Sequence, residues 1–310
     1  MKYAINWARD FRHLHEVDEV ILNYYSGSEN VVAFVTDNFT DHKSQRIIIN
    51  LLELEETEIN KVVTYINKLR KDGFNIAVII TDTDFNINIM KDNNIPFFFN
   101  KHAYNLDTAA ALAEAGASDI YVVEELGFRL KDIQYIREKY DVQIRVFPNI
   151  AQSADNKYIN GIERFWIRPE DTEIYEPYID VFEILPGQKD TSRLSVVYEI
   201  YRDRQWLGNL NDIILDFKSP IVNNRGMNPH FAENRLNCGK KCLIGKCNLC
   251  TQMGDLANMF TEVGLEVIKK KYKPERTKEE IEEELNKLKE RARELEINQD
   301  SNDSKPEETV

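Results

Sequence analysis

Four cysteines, Cys238, Cys242, Cys247 and Cys250, lie within thirteen residues of a 310-residue chain that has no others. Four thiolates on one short loop can converge on a single centre. That is the ligand set of a structural zinc or of an iron–sulfur cluster. The spacing is Cys-x3-Cys-x4-Cys-x2-Cys, with one Cys-x2-Cys knuckle where zinc sites usually have two, so both metals stay open. A disulfide is the competing reading, but Cys247 and Cys250 are too close in sequence for an ordinary bridge. Lys2, Arg9 and Asp10 also break any secretory apolar core at the start. The expectation is a cytoplasmic chain, where clustered cysteines are kept reduced and bind metal.

Other residue types with chemical potential follow short apolar runs. His102 can act as acid, base or ligand near neutral pH, or it can simply cap a loop. Glu124 and Glu125 can supply a carboxylate with a raised pKa, or one of them can cap a helix. Asn149, Gln152 and Arg168 follow later runs, and Glu183 and Gln188 later still. His13 and His15 are two apart on an expected helix and cannot form a ligand pair. P-loop, dinucleotide-fold, serine-hydrolase and zincin signatures are absent.

These residues need elements to hold them. Apolar runs of strand length begin at Lys2, Arg46, Asn75, Ile95, Asp119, Gln143, Arg164 and Val181. Helical patterns separate most of them, as at 56–71, where Ile59, Val62, Val63, Ile66 and Leu69 share one face. Residues 19–25 and 31–36 read as a hairpin or as an elaboration around Ser26-Gly27. Eight short, continuously apolar strands with helices between them predict a (β/α)8 TIM-like barrel, whose chemistry gathers at the C-terminal strand edge. A doubly wound α/β sheet is the alternative. The barrel spans 1–206. A four-cysteine excursion and a packing helix follow at 207–272, then a charged helix at 273–297 and a disordered acidic tail at 298–310.

Composition narrows the function. The net charge is −13, which excludes a general nucleic-acid binder, although Lys240, Lys241 and Lys246 leave a basic patch beside the cysteines. No run approaches the ~20 apolar residues that span a bilayer. Residues 275–310 hold thirteen acidic and seven basic residues, so the C-terminal helix and acidic tail are a candidate surface for a protein partner.

The run Leu112-Ala-Glu-Ala-Gly-Ala-Ser-Asp-Ile-Tyr-Val-Val123, then Glu125-Leu-Gly127, then Ile144-Arg-Val-Phe-Pro-Asn-Ile-Ala-Gln152, resembles the collagenase-like peptidase family U-32. Phe165-Trp-Ile-Arg-Pro-Glu170 and Tyr178-Ile-Asp-Val-Phe-Glu183 sit where that family has its next two strands, so the resemblance covers about 95–187. It implies a barrel. It also implies a 4Fe-4S cluster on four cysteines, placed after the last strands, and hydroxylation of RNA or of a small aromatic substrate. Asn149 and Gln152 match the family's Asn-x-x-Gln in kind. Family cysteines are more widely spread than Cys238, Cys242, Cys247 and Cys250, which puts the cluster type in question. The rival expectations are one structural zinc in a binding protein, and a peptidase-like hydrolase.

Overall fold

The computed structural model describes residues 1–8, 10–24, 31–52, 54–151, 162, 164–186, 193–216, 222–236, 249–258 and 286. The chain divides into two compact units. The first holds Met1–Lys157, Arg164–Gln205 and Ile214–Asp216; the second holds Tyr158–Glu163, Trp206–Ile213 and Phe217–Val310.

The first unit alternates strands and helices: β1 (Lys2–Asn6), β2 (Glu19–Asn23), α1 (Val31–Phe39), β3 (Arg46–Asn50), α2 (Glu56–Lys71), β4 (Asn75–Ile80), α3 (Asp84–Asp92), β5 (Phe97–Phe99), β6 (His102–Ala103), α4 (Leu106–Glu114), β7 (Asp119–Val122), α5 (Glu124–Gly127), α6 (Leu130–Tyr140), β8 (Gln143–Val146), α7 (Thr172–Tyr175), β9 (Val181–Ile184) and α8 (Leu194–Arg202). Ile47, Ile48 and Ile49 in β3 are all buried, as strands covered on both faces require. In α2 the stripe Ile59, Val62, Val63, Ile66 and Leu69 is buried. Each such side chain contributes about 1.5–3 kcal/mol against leaving it in water. Thr83 caps α3 by accepting from the Asn86 N–H, and Asn105 caps α4 by accepting from the Thr108 N–H.

All strand pairings are parallel, and the order is β5-β4-β3-β2-β1-β9-β8-β7-β6. This is sequence order rotated, with no reversal of direction. A doubly wound sheet needs such a reversal, so the fold is α/β of the TIM-like kind. The two ends of the order, β5 and β6, are separated only by Asn100 and Lys101. The Ser118 N–H before β7 donates to the Phe97 carbonyl of β5 at 2.7 Å.

Three expectations are corrected. Residues 19–25 and 31–36 do not form a hairpin. Glu19–Asn23 is a parallel strand between β1 and β3, and Val31–Phe39 is a helix whose buried Val31, Val35 and Phe39 recur every four residues. A parallel neighbour requires a crossover, which overrides the β-branched composition of the run. Residues 164–167 form no strand, because β8 pairs directly with β9 through Arg145↔Val181 and Val146↔Phe182. Phe165, Trp166 and Ile167 are buried instead as irregular chain, and the Tyr201 hydroxyl donates to the Ile167 carbonyl. His13 and His15 lie in turns and not on a helix.

Gly127 closes α5 against this buried segment. A Cβ there would sit 2.6 Å from the Phe165 ring. Gly127→Ala is expected to destabilise by about 1–3 kcal/mol through overpacking, read as a lower urea midpoint. An unchanged midpoint would show that Phe165 moves aside freely.

In the second unit the Trp206 indole donates to the Asn209 carbonyl, and Asn209 accepts from the Val222 N–H. It contains α9 (Phe231–Leu236) and α10 (Leu249–Asn258), and α10 packs on the turn Asn224–Gly226. The packing helix, which the sequence places at 255–272, is described only to Asn258, within α10. Residues 153–159, whose sequence reads as a short helix, lie outside the described residues. Of residues 273–310 only the helical, exposed Asn286 is described. Among the described residues no helix is long and apolar enough to cross a membrane.

Candidate functional site at the strand exits

Side chains alternate across a strand, so residues two apart face the same side. The exits of β1, β2 and β3 carry Asn6, Asn23 and Asn50. The Asn50 amide donates to Asn23 Oδ1 at 2.9 Å, and its own Oδ1 accepts from the Leu52 N–H. The Asn6 amide donates to Glu183 Oε1 at 3.2 Å. Three carboxamides are thus held in place by neighbouring groups.

Another part of the edge is aromatic. The rings of Tyr121 and Phe147 stack at 4.8 Å and 11°. The imidazole of His102 meets each of them edge-on at 5.7 Å. Among the described residues the imidazole makes these ring contacts and no hydrogen bond. His102 retains exposed surface, yet the aromatic surroundings desolvate its charged form and lower its pKa. It is therefore neutral at pH 7 and able to accept a proton. Lys101 beside it is ion-paired with Asp82.

Beneath these groups lies a charged network that is buried except at Arg46, which keeps a little exposed surface. Arg145 is fully buried and pairs with Glu19, with Asp119 at 3.0 Å and with Glu183 at 3.3 Å. Arg46 binds both oxygens of Asp119, each at 2.7 Å. Arg145 also lies over the rings of Phe98 and Tyr121 at 5.0 and 5.5 Å. Burial would raise the Asp119 pKa, but Arg46, Arg145 and Ser118 reverse this and hold it below the usual carboxylate range. Burial does raise the Glu183 pKa. The Tyr121 hydroxyl donates to Glu183 Oε2 at 2.7 Å, and burial pushes its own pKa far up.

The other sequence-derived candidates are placed as follows. Asn149 is buried and clamps Leu185, accepting from its N–H at 3.0 Å and donating to its carbonyl at 2.8 Å, which copies a strand pairing. Arg168 is buried and bidentate on Asp171 at 2.6 and 2.7 Å. Glu124 and Glu125 open α5; their side chains, like Gln152, Cys238, Cys242 and Cys247, lie outside the described residues. Cys250 is the second residue of α10 and half-buried. Among the described residues no group of three His, Cys, Asp or Glu side chains could hold a metal. Glu183, expected on the rim, lies inside. The sequence reading did not single out Tyr121 or Arg145 as functional. A lone arginine within the apolar run 144–147 is the signal that could have found Arg145.

A titratable cluster lies apart from these groups. His13 Nδ1 meets Glu16 at 2.8 Å and Nε2 meets Glu199 at 2.6 Å, and the bond to Glu16 leads in raising its pKa. A raised folded pKa means that the stabilisation is complete below the unfolded value, about 6.5. It is lost as pH rises through the folded value. His13→Asn is expected to flatten the fall of melting temperature above pH 6.5. An unchanged pH profile would sink this assignment.

No family model matches the chain, and no curated protein matches it. Solved structures resemble it faintly. A native KDPGal structure is 12% identical at TM-score 0.41, covering 65% of this chain and 94% of that one. Tryptophan synthase from M. tuberculosis, open form with BRD0059 bound, is 11% identical at TM-score 0.35, covering 61% and 78%. Values this low transfer neither fold nor chemistry.

Proposed function

We propose that the first unit is a closed eight-stranded (β/α)8 barrel, with Phe97–Ala103 as one interrupted strand. On this reading it is a cytoplasmic enzyme that modifies a planar aromatic ring, on RNA or on a small molecule, at the strand exits. The observation that carries the reading is the aromatic shelf of Tyr121, Phe147 and His102 on the strand-exit edge that also carries the carboxamides Asn6, Asn23 and Asn50. In barrels of this kind chemistry gathers at that edge. The shelf receives a ring face, the amides fix its polar edge, and neutral His102 accepts a proton from it.

Cys238, Cys242, Cys247 and Cys250 would hold a 4Fe-4S cluster. Cys250 fits a thiolate ligand, since it sits in the first turn of the ten-residue helix α10, where free N–H groups and the helix dipole favour the anion. A cluster supplies one-electron transfer. The rival reading, a structural zinc, is favoured by the short helices that make up the described part of the second unit, because small units often need a metal cross-link. Metal analysis on protein purified without oxygen decides. About four irons per chain with a band near ~400 nm that dithionite bleaches support the cluster. One zinc and a colourless sample overturn it.

A further inference from the structure

Three carboxylates, Glu19, Asp119 and Glu183, share the interior of the first unit with two guanidiniums, Arg46 and Arg145. Burying an uncompensated charge is expensive, so the group reaches neutrality by holding one proton. The geometry decides which carboxylate holds it. Asp119 takes both guanidiniums and the Ser118 hydroxyl, three charge-assisted contacts and one neutral one. Arg46 and Arg145 both reach Glu19 as well, Arg145 at short range. Among the described residues Glu183 receives only the longest Arg145 contact, 3.3 Å, and otherwise neutral donors, Tyr121 and Asn6.

We propose that Glu183 is held as the neutral carboxylic acid and donates a hydrogen bond to a ligand oxygen that gains negative charge at the strand exits. The donor atom follows from the contacts. Among the described residues Oε2 already accepts from Tyr121 and Arg145, whereas Oε1 accepts only from Asn6, the last residue of β1. Oε1 carries the proton and faces the exit layer. Glu19 and Asp119 repel a third anion, and Tyr121 and His102 are neutral; the neighbour that opposes this state is Arg145, whose guanidinium stands 3.3 Å away. A neutral acid in an enclosed site stabilises a developing enolate or phenolate without the like-charge repulsion a carboxylate would bring. The ligand class is an aromatic or enolisable compound with a phenolic or carbonyl oxygen. The ligand rests on the strand-exit reading above, while the proton rests on the charge geometry alone.

Two measurements on the full chain separate these. Infrared difference spectra at pH 7 between the wild type and Glu183→Gln are expected to show a protonated-carboxyl band that the variant lacks. Tyr121→Phe leaves Glu183 intact and is expected to shift that band by removing one hydrogen bond. Binding of 4-nitrophenol, followed by its absorption, is expected to weaken about tenfold or more in Glu183→Gln. An absent band overturns the neutral-acid proposal, even where nitrophenol binds. A band with no nitrophenol binding overturns the donor role and the strand-exit reading with it.

Discussion

Replacing Arg145 with methionine lowers stability by about 3–5 kcal/mol, the range for breaking a buried ion pair by removing one partner. Arg145 is fully buried and touches three carboxylates, Glu19, Asp119 and Glu183. The wild-type loss does not come from lost Coulomb attraction alone, since desolvation offsets most of that. It comes from leaving carboxylates buried with Arg46 as the sole remaining guanidinium. Adding Glu19→Gln to Arg145→Met removes one of the stranded anions and is expected to restore part of the loss. Urea unfolding of the two single variants and the double variant measures the coupling. A loss below about 1 kcal/mol, typical of an exposed pair, would mean that water or an ion enters the interior and screens the network.

If the four cysteines hold a metal as proposed, Cys247→Ser is expected to lose most of it. A four-ligand centre that loses a thiolate keeps three ligands and an open position, and the serine hydroxyl is a poor replacement because it does not ionise near pH 7. Iron and zinc content per chain, measured beside far-ultraviolet circular dichroism, reads the outcome. The expected result is loss of metal with the first unit still folded, since its core of β-strands and helices contains none of the four cysteines. Full metal content in Cys247→Ser would sink the four-ligand proposal. Unfolding of the whole chain would show that the first unit depends on the metal as well.

Much of the scaffold was legible from periodicity. The helix at 56–71 and the strands beginning at Asn75, Asp119, Gln143 and Val181 stand where the apolar pattern placed them. The pattern failed where pairing partners decide. At 31–36 the β-branched residues looked like a strand, yet four-residue spacing and the need for a crossover make a helix. At 164–167 the residues are as apolar as any strand, but β8 and β9 leave no place between them. Burial and strand character are separate properties, and only pairing distinguishes them.

The sequence by itself determined the alternation of elements, the polar character of the strand exits and the presence of four clustered thiols, because each is a local property of residue type and spacing. The tertiary structure alone decided which charges meet. Glu19, Arg46, Asp119, Arg145 and Glu183 come from five different strands and lie up to 164 positions apart. Their pairing, and the proton it leaves on Glu183, depends on parallel register. A one-residue slip in any of those strands would turn its charged side chain to the opposite face.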